Sequence, residues 1–151
     1  MCIRDSRSAS RVDLGDIKEL LIVSNLPTED ITEHLDGFIV CEEAGKIIGV
    51  GGLEVHGTNG VVRSIAVKPE NQTKGFGKLI YKSIEHEALR LGVTTLYLLT
   101  ETAEGYFVKL GFAVMDRTDV PKSIMNSKQF RFLCPSTAKL MFRRLSGRNE
   151  Q

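Results

Sequence analysis

A run of β-branched residues, VVRSIAV at 61–67, is followed by a polar loop and by two glycines, Gly75 and Gly77, that open a helical pattern. The apolar residues of this pattern recur at helical spacing, and the pattern ends at Gly92, a suitable end cap. A helix start exposes backbone N–H groups that lack a partner within the helix, and glycine leaves them open to an anion. The stretch therefore predicts a strand, a loop and a helix whose first turn can hold a phosphate group.

Two common phosphate-binding motifs do not fit these glycines. A Walker loop needs a longer glycine spacing and a lysine followed by serine or threonine, whereas Lys78 is followed by Leu79. A dinucleotide-binding fingerprint needs a third glycine where Ile80 stands, and its strand should lie directly before the glycines. Helix packing is the simpler explanation for an isolated Gly-x-Gly pair, so the pattern alone leaves phosphate binding and packing open.

Helical and strand patterns alternate along the rest of the chain. A helix is predicted from Val12 to Ser24, a short second helix follows a cap at Thr28, and Ala44 and Gly45 form a predicted hairpin turn. The other predicted elements are strands at 37–43, 46–57, 94–100, 111–115, about 130–133 and 138–145, and helices at 103–110 and after Pro121. This order predicts an α/β (α+β) fold with helices packed on one mixed sheet.

Residues 1–11 are polar and aperiodic, so we expect a disordered or artefactual segment there. A single domain is expected over 12–146 and a tail over 147–151. Lys and Arg total 20 and Asp and Glu total 19, so no global field attracts nucleic acid or an anionic membrane. Cys2, Cys41 and Cys134 lack metal-ligand spacing, which favours a reducing, cytoplasmic compartment and no metal site.

The segment Gln72-Thr73-Lys74-Gly75-Phe76-Gly77, between a strand and a long helix, resembles the signature of the GCN5-related N-acetyltransferase family. The later segment GYFVKLGF resembles a second landmark of that family. The resemblance implies a mixed, mostly antiparallel sheet that splays between the strands VVRSIAV and TTLYLLT. Acetyl-CoA, the implied co-substrate, would lie in the opening.

The resemblance also implies which residues hold acetyl-CoA. Backbone N–H groups from Thr73 to Lys78 would bind the pyrophosphate, and the edge of the preceding strand would bind the pantetheine arm. Lys74 and Lys78 fit either phosphate screening or a solvated surface. The implied cofactor-binding residues are Ile65, Ala66, Val67, Gln72, Thr73, Lys74, Gly75, Phe76, Gly77 and Lys78.

Acetyl transfer to an amine requires a base and a proton for the leaving thiolate. Glu54, in an apolar strand, is the first candidate base, with a solvent-facing side chain as its alternative; Glu101 is the reserve. In the family a tyrosine often stands four residues before the glycine of the GF pair and protonates the thiolate. Here that position is Phe107, and Tyr106 lies about 100° away on a helix, so water is the alternative acid.

Arg63 and Ser64 interrupt an apolar strand, and a buried arginine requires a partner. Two partners are left open: an anionic group of the acceptor, which Arg63, Ser64 and Arg117 would bind, and a buried structural glutamate. The expected acceptor is a small amine or amino acid, and a homodimer is left open.

The stretches GGLE, VVRSIAV, LYLLTETAEGYFVKLGF and FLCPSTAKLM resemble the arsenic-resistance N-acetyltransferases within the family. This resemblance implies an acceptor amino acid that carries an arsinic or phosphinic group. The alternatives are an ordinary amino acid such as glutamate, another amine, and a non-catalytic acyl-CoA-binding module.

Overall fold

The computed structural model describes residues 5–26, 28, 29, 31–72, 75–125 and 138–145. Two compact units are present, one formed by residues 1–54 and 63–87 and the other by residues 55–62 and 88–151. The chain passes between them within two of its strands and one helix, so the units are interleaved in sequence. The single domain predicted over 12–146 stays a prediction.

The first unit contains four neighbouring strands in the order β1-β2-β3-β4, and the pairs β1–β2 and β2–β3 are antiparallel. Its elements are β1 (Asp5–Ser8), α1 (Leu14–Val23), β2 (Phe38–Glu43), most of β3 (Lys46–His56), the second half of β4 (Asn59–Val67) and most of α2 (Phe76–Arg90). The predicted hairpin turn is confirmed, because Ala44 and Gly45 have φ values of 56° and 78°. The predicted short helix is a 3-10 helix over Thr32–Gly37.

Helix α1 buries one face because Ile17, Leu20 and Leu21 recur at helical spacing. These residues pack in a core with apolar residues of β2, β3 and β4, among them Phe38 and Val50. The helix is therefore held by burial of this apolar face, as expected for a helix of only ten residues.

Strand β1 departs from the expectation for the N-terminus. Asp5–Ser8 pairs with β2, so the expected structureless segment 1–11 does not hold for these residues. Arg7 helps to hold this strand in place. It donates two hydrogen bonds to Asp13, at 2.8 and 3.0 Å, and one to Glu42 at 2.7 Å. Its guanidinium lowers the pKa of Asp13 to about 2.

Helix α2 approaches β3 closely because two positions of that strand have no side chain. An added Cβ at Gly49 would lie 2.6 Å from Ile80 Cδ1, and one at Gly51 would lie 2.6 Å from Ile80 Cγ2. Real carbon contacts are about 3.5–4.0 Å long, so both positions require glycine at this separation. The spacing i, i+2 puts both glycines on one face of the strand.

The second unit contains the strand order β4-β5-β7-β6. Its elements are the first half of β4, the end of α2, β5 (Thr95–Thr100), α3 (Glu104–Lys109), β6 (Ala113–Met115), α4 (Lys122–Met125) and β7 (Lys139–Arg144). Gly92 has a φ of 85°, which confirms the predicted cap of α2. The predicted strand near 130–133 and Cys134 lie outside the described residues.

The pairings of this unit make the sheet mixed. Strand β4 pairs with β5 in parallel over Asn59–Val61 and Thr95–Tyr97, whereas β5–β7 and β6–β7 are antiparallel. The predicted class, a mixed and mostly antiparallel sheet with helices, is confirmed; its splay beyond these parallel pairs stays a prediction. Among the described residues, no helix is both long and apolar enough to cross a membrane.

Candidate functional site

Two oppositely charged side chains are buried together in the first unit. Arg63 Nη1 donates a hydrogen bond to Glu54 Oε2 at 2.7 Å, and the two side chains are 0% and 3% exposed. Buried charges are tolerated when they are paired. Of the two partners left open for Arg63 by the sequence, the structure therefore shows a buried glutamate, Glu54. The binding of an acceptor anion by Arg63, Ser64 and Arg117 stays a prediction.

Glu54 lies near the end of β3, one residue after the buried Leu53. The alternative of a solvent-facing Glu54 is wrong, because only 3% of its side chain is exposed. The paired guanidinium holds the carboxylate in place inside the sheet. The role of Glu54 as base stays a prediction.

The backbone of β4 is irregular next to this pair. Ser64 has a φ of 60°, in the left-handed region that non-glycine residues seldom adopt. Its Oγ accepts a hydrogen bond from Arg63 Nε at 3.1 Å, and the Arg63 guanidinium lies 5.6 Å from the centre of the Phe38 ring. One guanidinium thus contacts a carboxylate, a hydroxyl and an aromatic face, which accounts for its complete burial.

Helix α2 starts directly after Gly75, where the sequence predicts a helix start. Gly75 has a φ of 86°, and its carbonyl accepts a hydrogen bond from Leu79 N, in the first turn of the helix, at 3.1 Å. The first turn of a helix directs its backbone N–H groups toward the N-terminal end. Phe76 is buried and anchors this turn, whereas Lys78 is exposed. Thr73 and Lys74 lie outside the described residues.

Gln72 connects the loop before α2 to the end of β4. Its Nε2 donates a hydrogen bond to the Val67 carbonyl at 3.1 Å. Lys68 N donates to the Ile48 carbonyl at 2.8 Å, which ties the residue after β4 to β3. Gln72, one of the predicted cofactor-binding residues, is therefore in direct contact with Val67, at the end of the predicted pantetheine strand.

The remaining predicted site residues belong to the second unit. Tyr106 is 40% exposed in α3, and burial of part of its ring raises the pKa of its phenol. Phe107 is buried and stacks edge to face on Phe112, with ring centres 5.7 Å apart. Glu101 is exposed just after β5. Arg117 donates from Nη2 to the Ala138 carbonyl at 2.8 Å, so part of its guanidinium is used within the protein.

A metal site has no support in the part of the chain that is described. No group of three or more His, Cys, Asp or Glu side chains is placed there to hold a metal ion. The sequence left a buried glutamate open as the partner of Arg63 but did not identify that glutamate as Glu54. The structure brings them together because β3 ends at His56 and β4 begins at Asn59, so Glu54 and Arg63 are near each other across a two-residue turn.

Comparison with protein families gives a match over more than half of the chain. The model of the acetyltransferase (GNAT) domain matches residues 34–114, which include Glu54, Arg63, the Gly75–Gly77 turn and α3. An uncharacterised N-acetyltransferase of Chlorobaculum tepidum is 28% identical over 129 residues, which are 82% of each chain. The amino-acid acetyltransferase of Pseudomonas putida is 30% identical over 116 residues, which are 71% of this chain but 27% of that protein.

Two solved structures show the same fold. N-acetylglutamate synthase from Neisseria gonorrhoeae, complexed with coenzyme A and L-arginine, superposes with a TM-score of 0.83 at 23% identity and covers 96% of this chain. This chain spans only 34% of that protein. A Mycobacterium tuberculosis protein in complex with CoA has a TM-score of 0.81 at 23% identity and covers 94% of this chain and 99% of its own length.

Proposed function

The chain belongs to the GNAT acetyltransferases, and on that premise we propose that it transfers the acetyl group of acetyl-CoA to the amino group of a small amino acid. The observation that carries the acceptor class is the 30% identity to an amino-acid acetyltransferase over 71% of the chain. The near-zero balance of Lys plus Arg against Asp plus Glu supports a small acceptor, because it offers no global field for a polyanion.

The start of α2 supports the acetyl-CoA part of the proposal. The N–H groups of residues 76–78 and the positive end of a 15-residue helix dipole suit a pyrophosphate. Gly75 leaves open space at its Cβ position, since apart from its chain neighbours no described residue has an atom within 4 Å of it. Gln72, in the loop before this turn, donates a hydrogen bond to Val67, in the strand whose main chain would pair with the pantetheine amides.

Glu54 is the proposed base. An ammonium group is protonated at neutral pH, so it must lose a proton before its nitrogen can attack the thioester carbonyl. The proton passes to the Glu54 carboxylate, directly or through one water molecule. A C–N bond then forms and the nitrogen gives its second proton to water, while the C–S bond breaks and the CoA thiolate takes up a proton from water as it leaves.

The proton for the thiolate is assigned to water in this proposal. Phe107 occupies the place where the family often has a tyrosine, and it has no proton to give. Tyr106 is adjacent in α3, on a side of the helix about 100° away, and is 40% exposed. Its raised phenol pKa keeps the proton on the oxygen, which is compatible with an acid but does not place it at the thiolate.

A finer proposal is that the acceptor carries an arsinic or phosphinic group in place of a side-chain carboxylate. It is supported by the resemblance of GGLE, VVRSIAV and LYLLTETAEGYFVKLGF to arsenic-resistance acetyltransferases. Arg63 Nη1 is already bound to Glu54, and the likeness to amino-acid acetyltransferases favours an ordinary amino acid. Glutamate is therefore the first acceptor to test and the arsenical the second.

The test is CoA release from acetyl-CoA with a panel of acceptors: glutamate, phosphinothricin, arsinothricin and a simple polyamine. Glutamate or its analogues should give the highest kcat/KM. Omission of the acceptor measures hydrolysis and serves as the blank. A preference for the polyamine would contradict the amino-acid assignment, and no release above the blank with any acceptor would contradict the proposed activity.

A further inference from the structure

We infer that Arg63 is a positioning residue for acetyl transfer, which holds the Glu54 carboxylate and the irregular backbone at Ser64 in one fixed arrangement. The inference rests on the proposed function, because it takes Glu54 as the base. It assigns to Arg63 a role that acts through Glu54 and requires no contact with the acceptor.

The geometry of the guanidinium supports this role. Arginine stays protonated over the working pH range and presents its N–H donors in a rigid plane. Nη1 is bound to Glu54 Oε2 at 2.7 Å and Nε to Ser64 Oγ at 3.1 Å, so two donors of one plane are fixed at the same time. Rotation of the carboxylate away from its observed orientation would break the shorter of these bonds.

Burial shields the bond between Arg63 and Glu54 from solvent. The Arg63 side chain is fully buried and that of Glu54 nearly so, so bulk water does not compete for the bond between them. The Phe38 ring lies 5.6 Å from the guanidinium and closes one side of it. A carboxylate held in this way keeps one orientation, which a proton acceptor needs if it is to meet an amine at hydrogen-bonding distance.

Ser64 extends the arrangement along β4. A positive φ at a non-glycine residue persists when its surroundings hold it, and the Oγ contact to Arg63 is one such restraint. Ser64 is followed directly by Ile65, the first residue of the strand segment proposed to bind the pantetheine arm. Arg63 is thus in contact with the base and adjacent to the segment that would place the thioester.

The test compares four proteins: wild type, Arg63→Gln, Glu54→Gln and the double variant. Arg63→Gln should lower kcat by roughly 10-fold or more, with KM for acetyl-CoA within about threefold of wild type. In the Glu54→Gln background the same change should lower kcat by less than about threefold, because a residue acting through Glu54 has little further effect once the base is gone. Arg63→Lys, which keeps the charge but not the planar donors, should recover part of the lost kcat.

Arg7→Gln is the matched control, since Arg7 also binds carboxylates, at Asp13 and Glu42, and lies in no proposed site. It should lower stability and leave kcat unchanged, which separates loss of an ion pair from loss of positioning. Should Arg63→Gln fail to fold, the double variant, which has no buried charge at these two positions, replaces it. Its kcat should match that of Glu54→Gln within about threefold.

Three results would overturn the inference: equal fold-losses from Arg63→Gln in both backgrounds, a raised KM for the acceptor with unchanged kcat, or no loss of kcat at all. A raised KM for the acceptor with unchanged kcat would instead assign Arg63 to binding of the acceptor. A wild type that turns over no acceptor overturns the proposed function and this inference with it, whereas an active wild type with any of the three results overturns the inference alone.

Discussion

Gly49→Ala adds one methyl group at the tightest point between β3 and α2. The new Cβ would lie 2.6 Å from Ile80 Cδ1, whereas the Ala66 carbonyl and Val67 Cγ2 are 3.4 and 3.6 Å away, at ordinary contact distances. Ile80 is completely buried, so its terminal methyl has little room to move. A normal carbon contact needs about 3.5–4.0 Å, and α2 or the Ile80 side chain must therefore shift by roughly 1 Å.

The expected cost follows from overpacking. Extra methyl groups in a filled core cost about 1–3 kcal/mol, and the smaller backbone freedom of alanine in the unfolded chain returns about 0.4–1 kcal/mol. The net loss of unfolding free energy should be about 1–2 kcal/mol. Because α2 carries the proposed phosphate turn at its start, acetyl-CoA affinity should fall in the same variant.

Ile80→Val removes the Cδ1 atom that the new methyl would meet. Alone it should cost about 0.5–1.5 kcal/mol through the cavity it leaves. In the double variant the added methyl fills that cavity. Its loss of unfolding free energy should therefore be smaller than the sum of the two single-variant losses by about 1 kcal/mol or more. Acetyl-CoA affinity should return toward the wild-type value.

Urea denaturation of wild type, Gly49→Ala, Ile80→Val and the double variant gives the four unfolding free energies of this double-mutant cycle. Titration calorimetry of the same proteins measures acetyl-CoA binding. Gly15→Ala in α1 is the control, since its Cβ position has no atom within 4 Å; it should gain up to about 1 kcal/mol from helix propensity. If the double-variant loss equals the sum of the single-variant losses within about 0.5 kcal/mol, Gly49 and Ile80 are not coupled. Ile80 would then not be the reason why β3 requires glycine at position 49.

Gly77→Val should weaken acetyl-CoA binding at least tenfold, about 1.4 kcal/mol by titration calorimetry, because its side chain would enter the proposed phosphate site; unchanged affinity would contradict that site. Tyr106→Phe should keep kcat within about threefold, and a loss of about tenfold or more would identify Tyr106 as the acid. Arg7→Gln should cost about 1–2 kcal/mol of stability at pH 7, allowing for the 38% exposure of Arg7. Asp13 has a folded pKa of about 2 against 3.8 unfolded, so this stabilisation is present above pH 3.8 and is lost as the pH falls toward 2. Urea titrations of wild type and variant at pH 7 and 2.5 should therefore differ less at the lower pH, and a constant gap would disprove the Arg7–Asp13 assignment.

Features set by a few adjacent residues were predictable from the sequence. The Ala44–Gly45 turn and the Gly92 cap follow from local turn chemistry, and both positions have the positive φ that this chemistry requires. The extent of α2 follows from its apolar spacing, and the structure places it at Phe76–Arg90.

Features set by contacts between distant residues were not predictable. Strand β1 is polar, and it depends on ion pairs from Arg7 to Asp13 and Glu42, the latter 35 residues away. The Arg63–Glu54 pair depends on where the second hairpin turns. The sequence placed that turn at Thr58–Gly60, whereas the structure has β4 beginning at Asn59. Such a shift of register changes which side chains meet across the strands.

The buried Arg63–Glu54 pair also limits how this sequence can drift during evolution. Substitution of one residue removes a 2.7 Å ion pair from the protein interior, at a typical cost of about 3–5 kcal/mol. That cost is comparable to a large part of the stability of an ordinary domain, about 5–15 kcal/mol. Lineages that lose the pair should therefore change both positions together, and an alignment of descendants should show 54 and 63 covarying.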